Sequence, residues 1–293
     1  MSSEPRPHRS ALSPAALLGL VLLLASAPAA TADGDAHAPP RWELGAGIAT
    51  ASFPAYRGAN RQVTHVVPLP YAVWRSERLR VDREGARGLL FDSERFEINV
   101  SLDGAIPVDS DDDGPRAGMD DLDPLIEIGP SLTWMLTRDR RWQFRIPVRA
   151  AISINARSTS QQGWKIHPLL RYRSANTVAG WRFGGSVGPI FATRDFHAYY
   201  YQVAPEDAIP GERPAFSAAG GYSGSALSAN ASRRFNDVWF GAFLRYDNLA
   251  GAQFVDSPLV ETDHAFTGGI AVAWILGESR ERVPREQLPV GAR

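Results

Sequence analysis

The chain has 293 residues, a formal charge of −1 and no cysteine. That balance offers no basic surface for nucleic acid, and the missing thiols exclude disulfides, a cysteine-based zinc site, a cysteine nucleophile and a lipid-modified cysteine. Lys165 is the only lysine, so arginine carries nearly all of the positive charge.

At the N-terminus, Arg6, His8 and Arg9 precede an apolar stretch from Ala15 to Ala25, and Ala30-Thr31-Ala32 forms an A-x-A site before Asp33. This is the layout of a secretory signal peptide covering 1–32, followed by a linker over 33–41. Its apolar core is short for the ~30 Å hydrocarbon layer, and no other stretch approaches the ~18 apolar residues of a transmembrane helix. Any crossing of a membrane therefore falls to strands.

Strand signals fill the rest of the chain. Phe96, Ile98, Val100 and Leu102 alternate with Glu97, Asn99, Ser101 and Asp103; Trp142, Phe144, Ile146 and Val148 alternate with Gln143, Arg145, Pro147 and Arg149. A period of two puts successive side chains on opposite faces of a strand. Strands are predicted at 42–51, 63–74, 78–83, 87–92, 95–105, 124–137, 141–154, 163–174, 178–193, 215–233, 238–249 and 264–276. Their connections alternate between short turns and longer loops such as 52–62, 106–123, 194–214 and 250–263. Segments of ~9–11 residues with one apolar face, short turns on one side and long loops on the other describe an outer-membrane barrel. The expected fold is an all-β, antiparallel up-and-down transmembrane β-barrel of about twelve strands over 42–276, surrounded by outer-membrane lipids. The third and fourth strands are short, which leaves ten strands as the alternative, and a polar tail is expected over 277–293.

Aromatics gather at the proposed strand ends: Trp42, Trp134, Trp142, Trp164, Trp181, Tyr246, Phe266 and Trp274. Amphipathic rings at headgroup level are the girdles of such barrels. Charges instead occupy strand centres. Arg145, Arg149, Arg171, Arg173, Arg182 and Arg245 are expected to face the lumen, with Glu97, Asp103, Glu127 and Asp247 as partners. An arginine facing lipid at mid-depth would cost ~2–4 kcal/mol. Two readings of that set stand open: a polar conduit with anion preference, or a static ion-pair network filling a narrow barrel. The acidic run Asp109–Asp113 lacks the glycine and terminal glutamate of an EF-hand and reads as a solvated loop.

Three stretches carry a resemblance. Phe53-Pro-Ala-Tyr-Arg-Gly58 followed by Val67-Pro-Leu-Pro-Tyr71, then Arg116-Ala-Gly-Met-Asp-Asp-Leu-Asp-Pro124, then Asp256-Ser-Pro-Leu-Val260 with Thr262-Asp-His-Ala-Phe266 resemble the MipA/OmpV family, also called MltA-interacting proteins. The resemblance implies a Gram-negative outer-membrane barrel that brings a lytic murein transglycosylase together with a penicillin-binding murein synthase. It also implies no catalytic residue, metal or cofactor. A departure from the family is the polar extension after Leu276, where such barrels tend to finish at an aromatic residue.

A hydrolase is the remaining class to weigh. Ser257, Asp263 and His264 lie near one another in sequence, and His197 sits among Tyr199, Tyr200 and Tyr201 in a predicted outer loop. No G-x-S-x-G elbow is present, and Gly221-Tyr-Ser-Gly224 reads as a glycine-rich strand. The expectation is a scaffold, with a narrow pore for small polar or anionic solutes as the alternative and a lipid-modifying enzyme behind both. Signal peptidase is expected to cut after Ala32. N-terminal sequencing of envelope-extracted protein should begin at Asp33, and a retained Met1 would refute the assignment.

Overall fold

The computed structural model describes residues 39–76, 79–82, 85–105, 110, 114–155, 158–174 and 177–283. The expected signal segment and most of the acidic run lie outside the described residues. Twelve strands follow in chain order: β1 Trp42–Pro54, β2 Gln62–Arg75, β3 Leu79–Asp82, β4 Gly85–Asp92, β5 Phe96–Ala105, β6 Leu125–Met135 and β7 Trp142–Ile154. Then come β8 in two segments, Thr159–Ile166 and Leu169–Arg173, β9 Arg182–Ala192, β10 Gly221–Phe235, β11 Val238–Asn248 and β12 His264–Glu278. Each strand pairs antiparallel with the next, and β12 returns to β1 from Ser52↔Gly268 to Glu43↔Glu278. The ladder thus runs round without an end, which is the up-and-down barrel the alternation predicts. Closure is obligatory in hydrocarbon, where an unpaired backbone group finds no water.

The pleat decides what each side chain sees. Along β6, Leu125, Glu127, Gly129, Ser131, Thr133 and Met135 are buried inward, while Ile128, Pro130, Leu132 and Trp134 are exposed outward. Outward aromatics form two bands. Trp74, Phe96, Trp134, Trp142 and Trp274 ring the end that carries both chain termini, with Phe96 stacked on Trp134 at 6.1 Å. Trp164, Phe191 and Phe266 mark the other end, with Phe266 5.0 Å from Tyr246. An even strand number returns both termini to the periplasmic side in such barrels, so the first band is the inner one.

Departures from the predicted boundaries have local causes. Strand β8 starts at Thr159 and breaks at His167–Pro168, because proline has no N–H to give the ladder. Gly188 on β9 makes room there: a Cβ on it would lie 2.0 Å from the Pro168 carbonyl oxygen. Strand β9 starts only at Arg182, since Val178–Trp181 folds into a turn with Ala179 and Gly180 at positive φ. Strand β10 begins at Gly221, and the preceding loop contains a helix, α1 Arg194–Tyr201. At the inner end Ser279–Val283 folds beside the start of β1, where Arg41 N–H donates to the Glu281 carbonyl at 3.0 Å and Val283 N–H to Pro39 at 2.9 Å.

On β7 the pleat makes a simple demand. Single cysteines at 144–149 should react with a membrane-impermeant thiol reagent in alternation, with 145, 147 and 149 differing from 144, 146 and 148. Uniform labelling would show that the assigned faces are wrong.

Candidate binding cavity

The outer end of the barrel is closed by its own loops. Tyr56, from the β1–β2 loop, donates its hydroxyl to the Leu259 carbonyl at 2.7 Å, and Gly58 accepts the N–H groups of Glu261 and Thr262 at 2.8 and 3.1 Å. Tyr201 of α1 stacks on Phe254 with ring centroids 3.7 Å apart and planes 4° from parallel. Its hydroxyl donates to the Arg57 carbonyl at 2.8 Å, and Ser257 Oγ donates to the Tyr201 carbonyl at 2.7 Å. Leu122 joins the same apolar cluster, while Arg116 reaches the Tyr200 carbonyl at 3.1 Å and Tyr199 that of Asp123 at 2.7 Å. Burial pushes the Tyr56, Tyr199 and Tyr201 hydroxyls up from their ordinary pKa, so they remain neutral donors.

Sequence reasoning places 194–214 in an outer loop, and the structure builds a helix into that loop. Phe196/Tyr200 and His197/Tyr201 are i,i+4 pairs that share one helix face. That face turns into the barrel mouth. His197 is fully buried, with Nδ1 2.6 Å from the Ala219 carbonyl and its ring 4.8 Å from Phe254. A short helix with no side-chain cap at Thr193 draws its stability from this packing.

Beneath the lid lie the lumenal charges. Arg245 grips Asp247 through Nε and Nη2 at 2.6 and 2.8 Å, and Arg57 Nε approaches the same carboxylate at 3.0 Å. Arg149 pairs with Asp103, lies 3.9 Å from Glu127 and donates to Ser101 Oγ at 3.3 Å. Lys165 pairs with Glu127. Asp103, Glu127, Arg145, Arg149, Arg171 and Arg245 all line one cavity of about 350 Å³. Glu97, Arg173 and Arg182 lie outside that lining. Glu97 is buried and accepts from Asn99 Nδ2 at 2.8 Å; Arg173 closes the inner end of β8, and Arg182 opens β9 opposite Ser232.

Three basic lining residues are absent from the predicted set. Lys165 and His167 sit at the break in β8, and Arg57 belongs to a loop folded over the mouth. A second charged cluster is also new: Glu43, 1% exposed, takes Arg75 at 2.8 Å, Arg234 at 3.2 Å and the Tyr71 hydroxyl at 3.0 Å. Its signal was the alternation after Trp42, which puts Glu43 on the inner face.

The expectation of a polar lumen needs a correction. Inward side chains of β1, β2, β11 and β12 form an apolar sector of Ala49, Ala51, Phe53, Val67, Val73, Trp239, Ala273 and Ile275, with Val63, Leu69 and Phe243 packed on it. Trp239 lies over Gly241, where a Cβ would meet its ring at 2.2 Å. A barrel this narrow fills much of its lumen with side chains, and here one half of the filling is apolar. The suggested hydrolase set is not assembled. His264 pairs with Asp263 at 2.9 Å on the surface, while Ser257 is buried and committed to the Tyr201 carbonyl.

A family model described as MltA-interacting protein MipA matches residues 45–276. No curated protein sequence matches the chain. Among solved structures, a bacterial polysaccharide outer membrane secretin is 11% identical, with 83% of this chain and 100% of that one covered at a TM-score of 0.40. The CymD monoaromatic hydrocarbon channel is 12% identical over 82% and 89% of the two chains, at a TM-score of 0.36. An outer membrane channel from Pseudomonas putida F1 is 11% identical over 84% and 100%, at 0.32. Likeness this distant says nothing of what this barrel binds or passes.

Asp247 joins the wall to the lid through Arg57, so its loss should be felt in both. Asp247→Asn deprives two half-buried guanidinium groups of their buried carboxylate, and the cost should fall below the ~3–5 kcal/mol of breaking a fully buried pair. Urea unfolding of the variant in micelles should show that loss, together with faster protease cleavage in 249–263. Wild-type values would refute the coupling.

Proposed function

The chain belongs to the MltA-interacting protein family, and from that premise we propose that this outer-membrane barrel is a non-enzymatic scaffold for murein-processing enzymes. Its partners are a lytic murein transglycosylase and, through it, a penicillin-binding murein synthase. The observation that carries the reading is the difference between the two ends. The outer mouth is capped by packed aromatic loops, which suits a closed barrel. The inner rim instead joins Pro39–Arg41 and Glu278–Val283 into one charged surface: Arg41 pairs with Glu281 at 2.7 Å, Arg282 with Glu278 at 2.9 Å, and Pro40 bridges Arg282.

Turns alone give a partner little area, well below the ~800 Å² per side of a standard interface. The clamp of Pro39–Arg41 on Ser279–Val283 adds to that area beside the turn between β10 and β11. A second reading, a narrow pore for small anionic solutes, draws on the cationic side of the cavity. Surface plasmon resonance with an immobilised lytic murein transglycosylase tests the scaffold. Charge reversal of Arg41 and Arg282 should weaken binding at least tenfold, and trimming the outer loop at 206–212 should leave it unchanged. The opposite pattern overturns the reading, and steady single-channel conductance in planar bilayers would favour the pore.

A further inference from the structure

The wall of the barrel is not equally tall all round. At ~3.3 Å per residue, the four residues of β3 reach ~13 Å, whereas the fourteen of β2 reach ~46 Å. Strand β2 meets β3 through Trp74↔Val81 and Arg75↔Arg80 only. From Gln62 to Pro70, every register partner of β2 among the described residues lies on β1. On the far side, β5 pairs with β4 only up to Ser101, and its last four residues pair with β6. Among the described residues, the ladder therefore leaves a gap between the outer halves of β2 and β5, above the β3–β4 hairpin.

The residues at the gap suit that arrangement. Pro68 and Pro70 occupy the open stretch of β2, and proline, lacking an N–H, is confined to such edges in a sheet. An outward apolar side chain flanks it: Val66, on the open stretch of β2, is 63% exposed. Inward, Val63, Val67 and Leu69 belong to the apolar sector, and His65 stacks on Phe53 at 5.5 Å. Phe53 lines the cavity, as do Ser101–Ala105 on the opposite edge. The β5 edge of the gap thus borders the cavity directly, and the β2 edge reaches it through His65 and Phe53. Among its described lining residues, six cations (Arg57, Arg145, Arg149, Lys165, Arg171, Arg245) face three carboxylates (Asp103, Glu127, Asp247).

We propose that the gap is a side entrance from the membrane and that the cavity holds a single-chain anionic amphiphile. Its carboxylate or phosphate head meets the cationic wall, and its chain runs along the apolar sector and out between β2 and β5. The 350 Å³ volume is at the small end of the ~300–1,000 Å³ typical of small-molecule sites. It admits a head and part of one chain. A cavity entered through the capped outer mouth would have no need of an apolar path to the wall.

The test uses the full barrel in phosphatidylcholine nanodiscs, with bimane on Leu69→Cys beside the gap or on lipid-facing Leu132→Cys, and doxyl-stearate as quencher. Quenching at 69 should saturate and be reversed by decanoate, but not by decyltrimethylammonium or inorganic phosphate. At 132 it should rise without saturation. Arg145→Gln should weaken decanoate at least tenfold. Native mass spectrometry of the unmodified barrel with decanoate gives the same comparison without a label. Unsaturated quenching at both positions, or no decanoate adduct, overturns the proposal. Displacement by inorganic phosphate alone overturns entry from the membrane, and equal displacement by the ammonium amphiphile overturns the anionic head.

Discussion

Everything in this molecule depends on one constraint: inside hydrocarbon, a backbone N–H or C=O that lacks a protein partner has none at all. Strands meet it by closing on themselves, and β12 does so by pairing back onto β1, although the outer half of β2 pairs on one side only among the described residues. Closure then sets the interior. Each inward residue faces a narrow lumen, so charges placed there must find one another, as Arg149, Asp103, Glu127 and Lys165 do. Such pairs carry a desolvation penalty that their attraction roughly repays. Their value lies in holding strands β5 to β8 in one arrangement.

The lid extends the same economy of interactions beyond the membrane. The stretches around Tyr56, Arg116 and Leu259 are far apart in sequence, and the fold brings them into one place. Tyr56 bonds Leu259, Arg116 bonds the α1 carbonyl of Tyr200, and Leu122 packs in the cluster with Phe254. Arg57 carries the connection downward to Asp247 on β11.

The interior is also lopsided. Cations and carboxylates occupy the side built from β5 to β9, whereas β1, β2 and β12 present aliphatic side chains and β11 presents Trp239 and Phe243 beside Arg245 and Asp247. The short β3–β4 hairpin stands where the two sectors meet, with apolar β2 on one side and β5, which carries Asp103, on the other. A gap at the charged side would put guanidinium groups against hydrocarbon, at ~2–4 kcal/mol each at mid-depth.

The sequence alone determined the wall. A period of two, paired with the cost of charge in lipid, assigns Arg145 and Arg149 one face and Phe144 and Ile146 the other, because the pleat is a local property of the backbone. Two short strands expected at 78–83 and 87–92 fall close to the observed β3 and β4. Only the tertiary structure decided which inward residues meet. Lys165 and Glu127 are 38 residues apart, and nothing local sets the register and stagger that join them. Helix α1 likewise had no capping signal strong enough to announce it; it forms because the mouth of the barrel offers its aromatic face a place to be buried. Pairings that span the lumen depend on how the sheet closes, and closure is a property of all twelve strands together.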